Sequence, residues 1–393
     1  MNTTKIRGSI AAAAAAMLLS AGPAAAQELV LGYITAKAGT FVSLAKTNEI
    51  AAQIAVDEIN AAGGVNGRPL RLEKFDSAGN PKQAVVGVRT LARDRDALAI
   101  IGPFSSSEAR VAFPEGERQK IVTMSMASSA PGLAEKFQFA FRNTSNEGYM
   151  FAQVMKTLKT EGIPAANAAI VYVTNDTVSQ ILGTRIFPAI FQRAGIPVDA
   201  TVSMQLKAFD LSPQVSQLVS APTDVVAVGA PPEQAIKLVT EMRRQGHTGR
   251  LVGGSTISAP DLPERMGAAG DLTTMPTTFF AGLNARTRAF AAEFAKRAAR
   301  AGERPLPAQF DAATYDIVLF YAHAMRQAGV TGAPGKLAAE RAAIRDELAA
   351  MKNFPALEGP ISFGADGDAL KPVYVLEINA GDWKLLQTHG VQN

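Results

Sequence analysis

Twice along this chain, short apolar runs bounded by Gly, Pro or Asn alternate with amphipathic stretches at helical spacing. That doubled alternation restricts the fold to two α/β units, each a parallel sheet flanked by helices. In the first half, Glu28 to Ile34 and Leu70 to Phe75 read as strands. Ala97 to Ile101, almost continuously apolar before Gly102-Pro103, reads as a strand buried on both faces of a parallel sheet. Between them, Ser43 to Ala62 places Leu44, Ile50, Ala51, Ile54, Ala55 and Ile59 on one helical face and stops at Gly63-Gly64. Asn80-Pro81 supplies an N-cap and a proline at the first helical position, opening a helix to about Arg95. A further helix starts at Ser106, and a strand follows at Ile121 to Ser125.

The rhythm then restarts. Strands are expected at Ala168 to Val173, Val198 to Met204, Asp224 to Val228 and Leu251 to Val252. Helices are expected at Val178 to Ala194, from a cap at Ser212-Pro213, and at Pro232 to Gln245. Three more helices (Thr287 to Ala301, Pro307 to Ala328, Lys336 to Met351) precede two strands, Pro360 to Phe363 and Pro372 to Ile378, with a turn at Asp366-Gly367.

Residues 1–26 stand apart. Lys5 and Arg7 precede an apolar stretch from Ile10 to Leu19, and Ala24-Ala25-Ala26 supplies small residues before Gln27. This is the pattern of a secretory signal peptide cut after Ala26. The apolar run is shorter than the roughly 20 residues a membrane span needs, so an exported protein is expected.

Composition narrows the chemistry. The chain has 393 residues and no Cys, which removes disulfides, thiolate metal sites and thiol nucleophiles. Its three His, at 247, 323 and 389, are far apart and read as structural or surface residues. A formal charge of +4, spread without a basic block, argues against a nucleic-acid partner. There is no phosphate loop and no Gly-x-Ser-x-Gly turn, and no His stands at a strand end of the first half to activate a serine. Glu115/Glu117 and Asp57/Glu58 read as solvated helix faces. No enzyme activity, cofactor or metal is expected.

Two loops remain as candidates for a ligand. Gly102 to Ser107 follows a buried strand and opens a helix, whose free N–H groups and positive dipole end suit an anion. Ala127-Ser128-Ser129-Ala130-Pro131 follows the next strand and offers a second set of small donors at the same sheet edge. Each also reads as an ordinary Ser-rich cap or loop.

Several runs resemble the leucine/isoleucine/valine-type periplasmic binding proteins, the solute-binding components of ABC transporters with the type I fold. They are Ala38-Gly39, the run from Ala55 to Arg68 (AVDEINAAGGVNGR), Asp76 to Pro81, Ile100 to Ser107, Phe209 to Val215, Tyr315-Asp316 and Gly381 to Lys384, in order and over nearly the whole chain after residue 26. The resemblance implies two doubly wound parallel-sheet lobes of α/β class joined by a three-crossing hinge. Crossings are expected near Asn143 to Asn146, Met275 to Thr278 and Ala356 to Gly359. Lobe one would comprise residues 27–143 and 278–357, and lobe two residues 147–275 and 358–393. A monomer working with an inner-membrane ABC permease is implied.

Site residues follow from the same resemblance. Ser106, beside Phe104, matches the serine that grips a carboxylate, and Ala127 and Ser129, with Ser128 between, match the next loop's backbone group and hydroxyl. In lobe two, Thr177 stands where the family has Tyr, Ala230 or Pro231 where it has an aromatic, and Ser255 where a Glu holds the ligand ammonium. An unpartnered buried ammonium costs several kcal/mol, so a carboxylate lacking an amino group is expected, an aromatic acid first among them. Thr40, Phe41 and Tyr149 are placed near the cleft. The alternatives are an amino acid with its ammonium on Glu233 or Asp176, and a sensor subunit of the same fold.

Overall fold

Two sheets organise the molecule, the first built from one stretch of chain and the second completed by two strands from near its end. The structure is a computed structural model and describes residues 27–218, 220 and 223–391. The expected signal peptide lies outside the described residues. The chain begins with β1 (Leu29–Thr35), α1 (Val42–Ala45), α2 (Asn48–Ala61), β2 (Leu70–Asp76), α3 (Pro81–Arg93), β3 (Ala99–Ile101), α4 (Ser106–Gln119), β4 (Thr123–Ser125) and β5 (Ala140–Arg142). These strands form a parallel sheet in the order β2-β1-β3-β4-β5. Next come α5 (Glu147–Thr160), β6 (Ala168–Val173), α6 (Thr177–Ile181), a π-helical turn (Leu182–Ile186), α7 (Phe187–Ala194), β7 (Val198–Met204), α8 (Ser212–Leu218), β8 (Val225–Gly229), α9 (Pro232–Arg244), β9 (Arg250–Gly253), α10 (Leu262–Met266) and β10 (Thr274–Thr277).

The chain then returns to the first unit with α11 (Ala285–Ala301), α12 (Gln309–Gln327) and α13 (Leu337–Ala350); α11 and α12 pack on α2. A small antiparallel sheet of β11 (Phe354–Ala356), β12 (Gly359–Phe363) and β13 (Ala369–Leu370) precedes β14 (Val373–Asn379) and β15 (Asp382–His389). The last two run antiparallel beside β10, giving a second sheet in the order β15-β14-β10-β9-β8-β6-β7.

The central strands show why the apolar runs are where they are. Every residue of β3 and of β8 is buried, as helices on both faces require. Asn80 caps α3 as its sequence suggests, accepting from Lys82 N at 2.9 Å.

Three local expectations change. The helix expected over 43–62 is broken into α1 and α2. At the break, Thr47 Oγ1 and Asn48 Nδ2 both donate to the buried Asp311 Oδ1, each at 2.8 Å, turning two polar side chains inward. The helix expected over 178–194 contains the π turn. There Gly183 lies against Tyr172, and a Cβ would sit 2.1 Å from the ring. The return to the second sheet falls near Lys371-Pro372, between β13 and β14, rather than at Ala356 to Gly359. Residues 359–370 stay with the first unit because Phe363 packs on Phe141 at 5.3 Å and on Phe320 at 5.6 Å, while Asp368 holds the fully buried Arg142.

The three connections meet in one buried polar cluster. Asn143 Nδ2 donates to Ala313 O at 2.9 Å, and Thr278 Oγ1 to Glu358 Oε1 at 2.5 Å. Lys371 Nζ donates to Asn143 O at 3.0 Å, and Asp316 accepts from Leu357 N at 2.7 Å and Glu358 N at 3.1 Å.

Candidate functional site

The carboxyl ends of the parallel strands of both sheets face the same gap, as the handedness of βαβ units places ligand loops there. One cavity of about 100 Å³ in this gap is lined from the first unit by Ala36, Thr40, Phe41, Phe104, Ser105 and Ser107, and from the second by Asn175, Asp176 and Thr177. Four expected residues, Thr40, Phe41, Phe104 and Thr177, therefore share one space. Its wall is aromatic. Phe41 and Phe104 stand 6.0 Å apart, and Phe310 of α12 meets Phe104 edge-on at 5.2 Å.

The N-terminus of α4 is built by a capping box, in which Ser105 Oγ accepts from Glu108 N and the Glu108 side chain accepts from Ser105 N. Glu108 is itself fixed by Ser77 Oγ at 2.5 Å. Ser106, the first helical residue, is buried, and its oxygen accepts from Ala130 N at 3.3 Å, which leaves its proton available to donate. In the next loop, Ala127 N and Ser128 N turn back to Ser125 Oγ at 3.3 and 3.0 Å. The Ser128 hydroxyl is buried without a partner among the described residues, as is that of Thr256 across the gap.

Ser129 and Ser255 are brought together by a residue that the sequence reading passed over. Glu147 Oε1 accepts from Ser129 Oγ at 2.9 Å and from Ser255 Oγ at 2.5 Å, and its Oε2 accepts from Ser255 N at 3.0 Å. The side chain bridges the loop after β4 and the loop after β9. Gly254 permits the approach, since a Cβ there would come 2.8 Å from the carboxylate. Glu147 is wholly buried, and burial raises its pKa against the pull of those hydrogen bonds. Its one sequence signal was its place directly after the first connection, where an acid in a first helical turn looks ordinary. Phe310, in the apolar run of α12, is a buried core residue that backs Phe104.

Other expectations are corrected. Tyr149 does not line the interlobe cavity: with Ser145, Asn146 and Asp366 it lines another one, and its hydroxyl donates to Gly390 O at 3.2 Å. Ala230 and Pro231 do not line the interlobe cavity. Ala230 is fully buried in the apolar core, and Pro231 is buried at the N-cap of α9. Asp176 caps α6 through Ser179 N at 2.9 Å and Ser179 Oγ at 2.7 Å, and burial raises its pKa. Glu233 faces Arg265 at 3.5 Å. Both proposed ammonium partners thus have other engagements. Among the described residues, no cluster of three or more His, Asp or Glu is arranged to hold a metal, and no helix is long and apolar enough to cross a membrane.

Known proteins share this architecture. The family model described as periplasmic binding protein matches residues 28–382. An amino acid binding protein of Pseudomonas aeruginosa is 26% identical over 274 residues, 68% of this chain and 71% of that protein. Among solved structures, a branched-chain amino acid transporter substrate-binding protein of Streptococcus pneumoniae, in complex with isoleucine, superposes with a TM-score of 0.80 at 21% identity, covering 93% of this chain and 99% of that one. A solute-binding protein of an ABC transporter from R. palustris, in complex with benzoate, gives 0.78 at 17% identity, covering 93% and 98%.

Proposed function

The chain belongs to the periplasmic binding protein family, and from that premise we propose that it is the solute-binding component of an ABC importer, closing its two lobes on a small carboxylate without an amino group. The family binds solutes for transport, and no catalytic step is proposed. The observation that carries the reading is the start of α4 beside the aromatic wall. Ser106 has a proton to donate and lies at a helix N-terminus that favours an anion. Phe41 and Phe104 offer ring faces and edges to the same cavity, with Phe310 packed behind Phe104. An aromatic acid fills both requirements, and the likeness to a benzoate-bound protein agrees.

The protein would act in the periplasm, as a monomer, and deliver its solute to an inner-membrane permease. A second reading, amino-acid binding, is favoured by Glu147, a buried carboxylate without a cationic partner among the described residues. Thermal-shift titration separates the two. Benzoate, cinnamate and branched keto acids should raise the melting temperature, by an amount equivalent to about 2.7 kcal/mol at 100 times Kd, and Ser106→Ala should lower that response. A shift with leucine or phenylalanine but none with the deaminated acids overturns the first reading.

A further inference from the structure

Glu147 raises a question of charge that the preceding reading leaves open. If the solute is a carboxylate, its expected anchors include the Ser129 hydroxyl, and that hydroxyl now serves Glu147 at 2.9 Å. A serine has a single proton to donate. Seating the solute on Ser129 takes one donor from Glu147 and places a second anion next to it in a desolvated gap. Two carboxylates so placed do not both stay ionised, because like charge and burial each favour the neutral form.

Among the described residues no cationic side chain pairs with Glu147, whose charge is eased by its hydrogen bonds and by its place in the first turn of α5. Arg142, which donates to Ser128 O and Ala130 O at 2.6 Å each, is committed to Asp368. On the elements packed around α5, Asp176 caps α6, Glu377 pairs with Arg250, and His389 bonds Thr157 at 2.8 Å. Tyr149 bonds Gly390 O, while Lys156, Arg185, Arg193 and Lys384 are exposed.

We infer, on the basis of the carboxylate reading above, that the cleft takes up a proton from solvent on Glu147 as it closes on its solute, so that neutral Glu147 donates a hydrogen bond where the ionised form would repel. Solute capture is thereby coupled to pH. The direction of the Glu147 pKa in the solute-free protein agrees, since burial already raises it.

Isothermal titration of the intact chain tests this, with benzoate, cinnamate and 4-methyl-2-oxopentanoate as probes and leucine and phenylalanine as ammonium-bearing controls. At one pH, runs in buffers of different ionisation enthalpy count the protons exchanged. The expected result is uptake of about one proton per acid bound, an affinity falling about tenfold per pH unit where Glu147 is ionised in the free protein, and loss of both effects in Glu147→Gln. An acid that binds with no proton uptake overturns the inference and leaves the carboxylate reading standing. Failure of all three acids to bind, whether or not leucine or phenylalanine binds, overturns that reading and the inference with it.

Discussion

Lys371 Nζ lies 2.5 Å from the Glu358 carboxylate, and neither side chain reaches solvent. The pair joins the connections between the two sheets, with Asp316 close enough to raise the cost of a second negative charge. Removing one partner of such a buried pair leaves an uncompensated charge. Lys371→Met should therefore cost about 3–5 kcal/mol in unfolding free energy, measured by urea titration. The double variant Lys371→Met/Glu358→Gln should recover part of that loss, and a single variant as stable as the parent would contradict the role given to the pair.

Asp316 gives the fold a pH dependence of known sign. Burial first, and then the Glu358 charge, push its pKa up to about 7, against about 3.9 in an unfolded chain. Its contribution is full below the unfolded value and is lost as pH rises through about 7. His247 and His389, lowered by burial, act the other way and weaken the fold as pH falls below about 6.5. Unfolding free energies from pH 5 to 8.5, taken as wild type minus Asp316→Asn, cancel the histidines and should fall with rising pH. A difference that does not change with pH argues against the shift.

Phe41 is half-buried and faces both Phe104 and the second unit's core. In Phe41→Ala an aromatic acid loses a ring contact of about 0.5–1.5 kcal/mol beyond buried area. Affinity for benzoate or cinnamate should drop about five- to tenfold by calorimetry, with a smaller loss for an aliphatic acid. Equal losses for both classes would place the ring elsewhere.

Asn80 reports on local folding away from the cleft. Asn80→Ala removes the acceptor for Lys82 N and Gln83 N and should cost about 1 kcal/mol, seen as a lower urea midpoint, while solute affinity stays unchanged.

What the sequence made legible follows from how local each signal is. β6 and β7 are bounded where their apolar patterns begin and end, and α3 starts at its own cap. β5 and β10, three and four residues long, have no pattern to read and exist because neighbouring strands supply their hydrogen bonds. The break between α1 and α2 depends on Asp311, more than 260 positions away. The cleft divides in the same way. Phe104 was found because its loop follows a buried strand, and Thr177 because the family resemblance aligned it with a ligand-loop position. Glu147 was not, because its meaning lies in the partners that the fold brings to it from two lobes. Tyr149 lines a different cavity from Phe41, since a position two residues further along the helix than Glu147 turns a side chain toward a different face.

The placement of β14 and β15 has a consequence for how the molecule is made. The second sheet is completed by residues 373–389, and the first unit by helices that follow the second unit in the chain. Neither lobe is a continuous stretch, so a nascent polypeptide cannot finish one before beginning the other. Synthesis has to deliver almost the whole chain before either lobe is complete, and a product truncated before β14 would expose the flank of β10 as an open edge prone to aggregation.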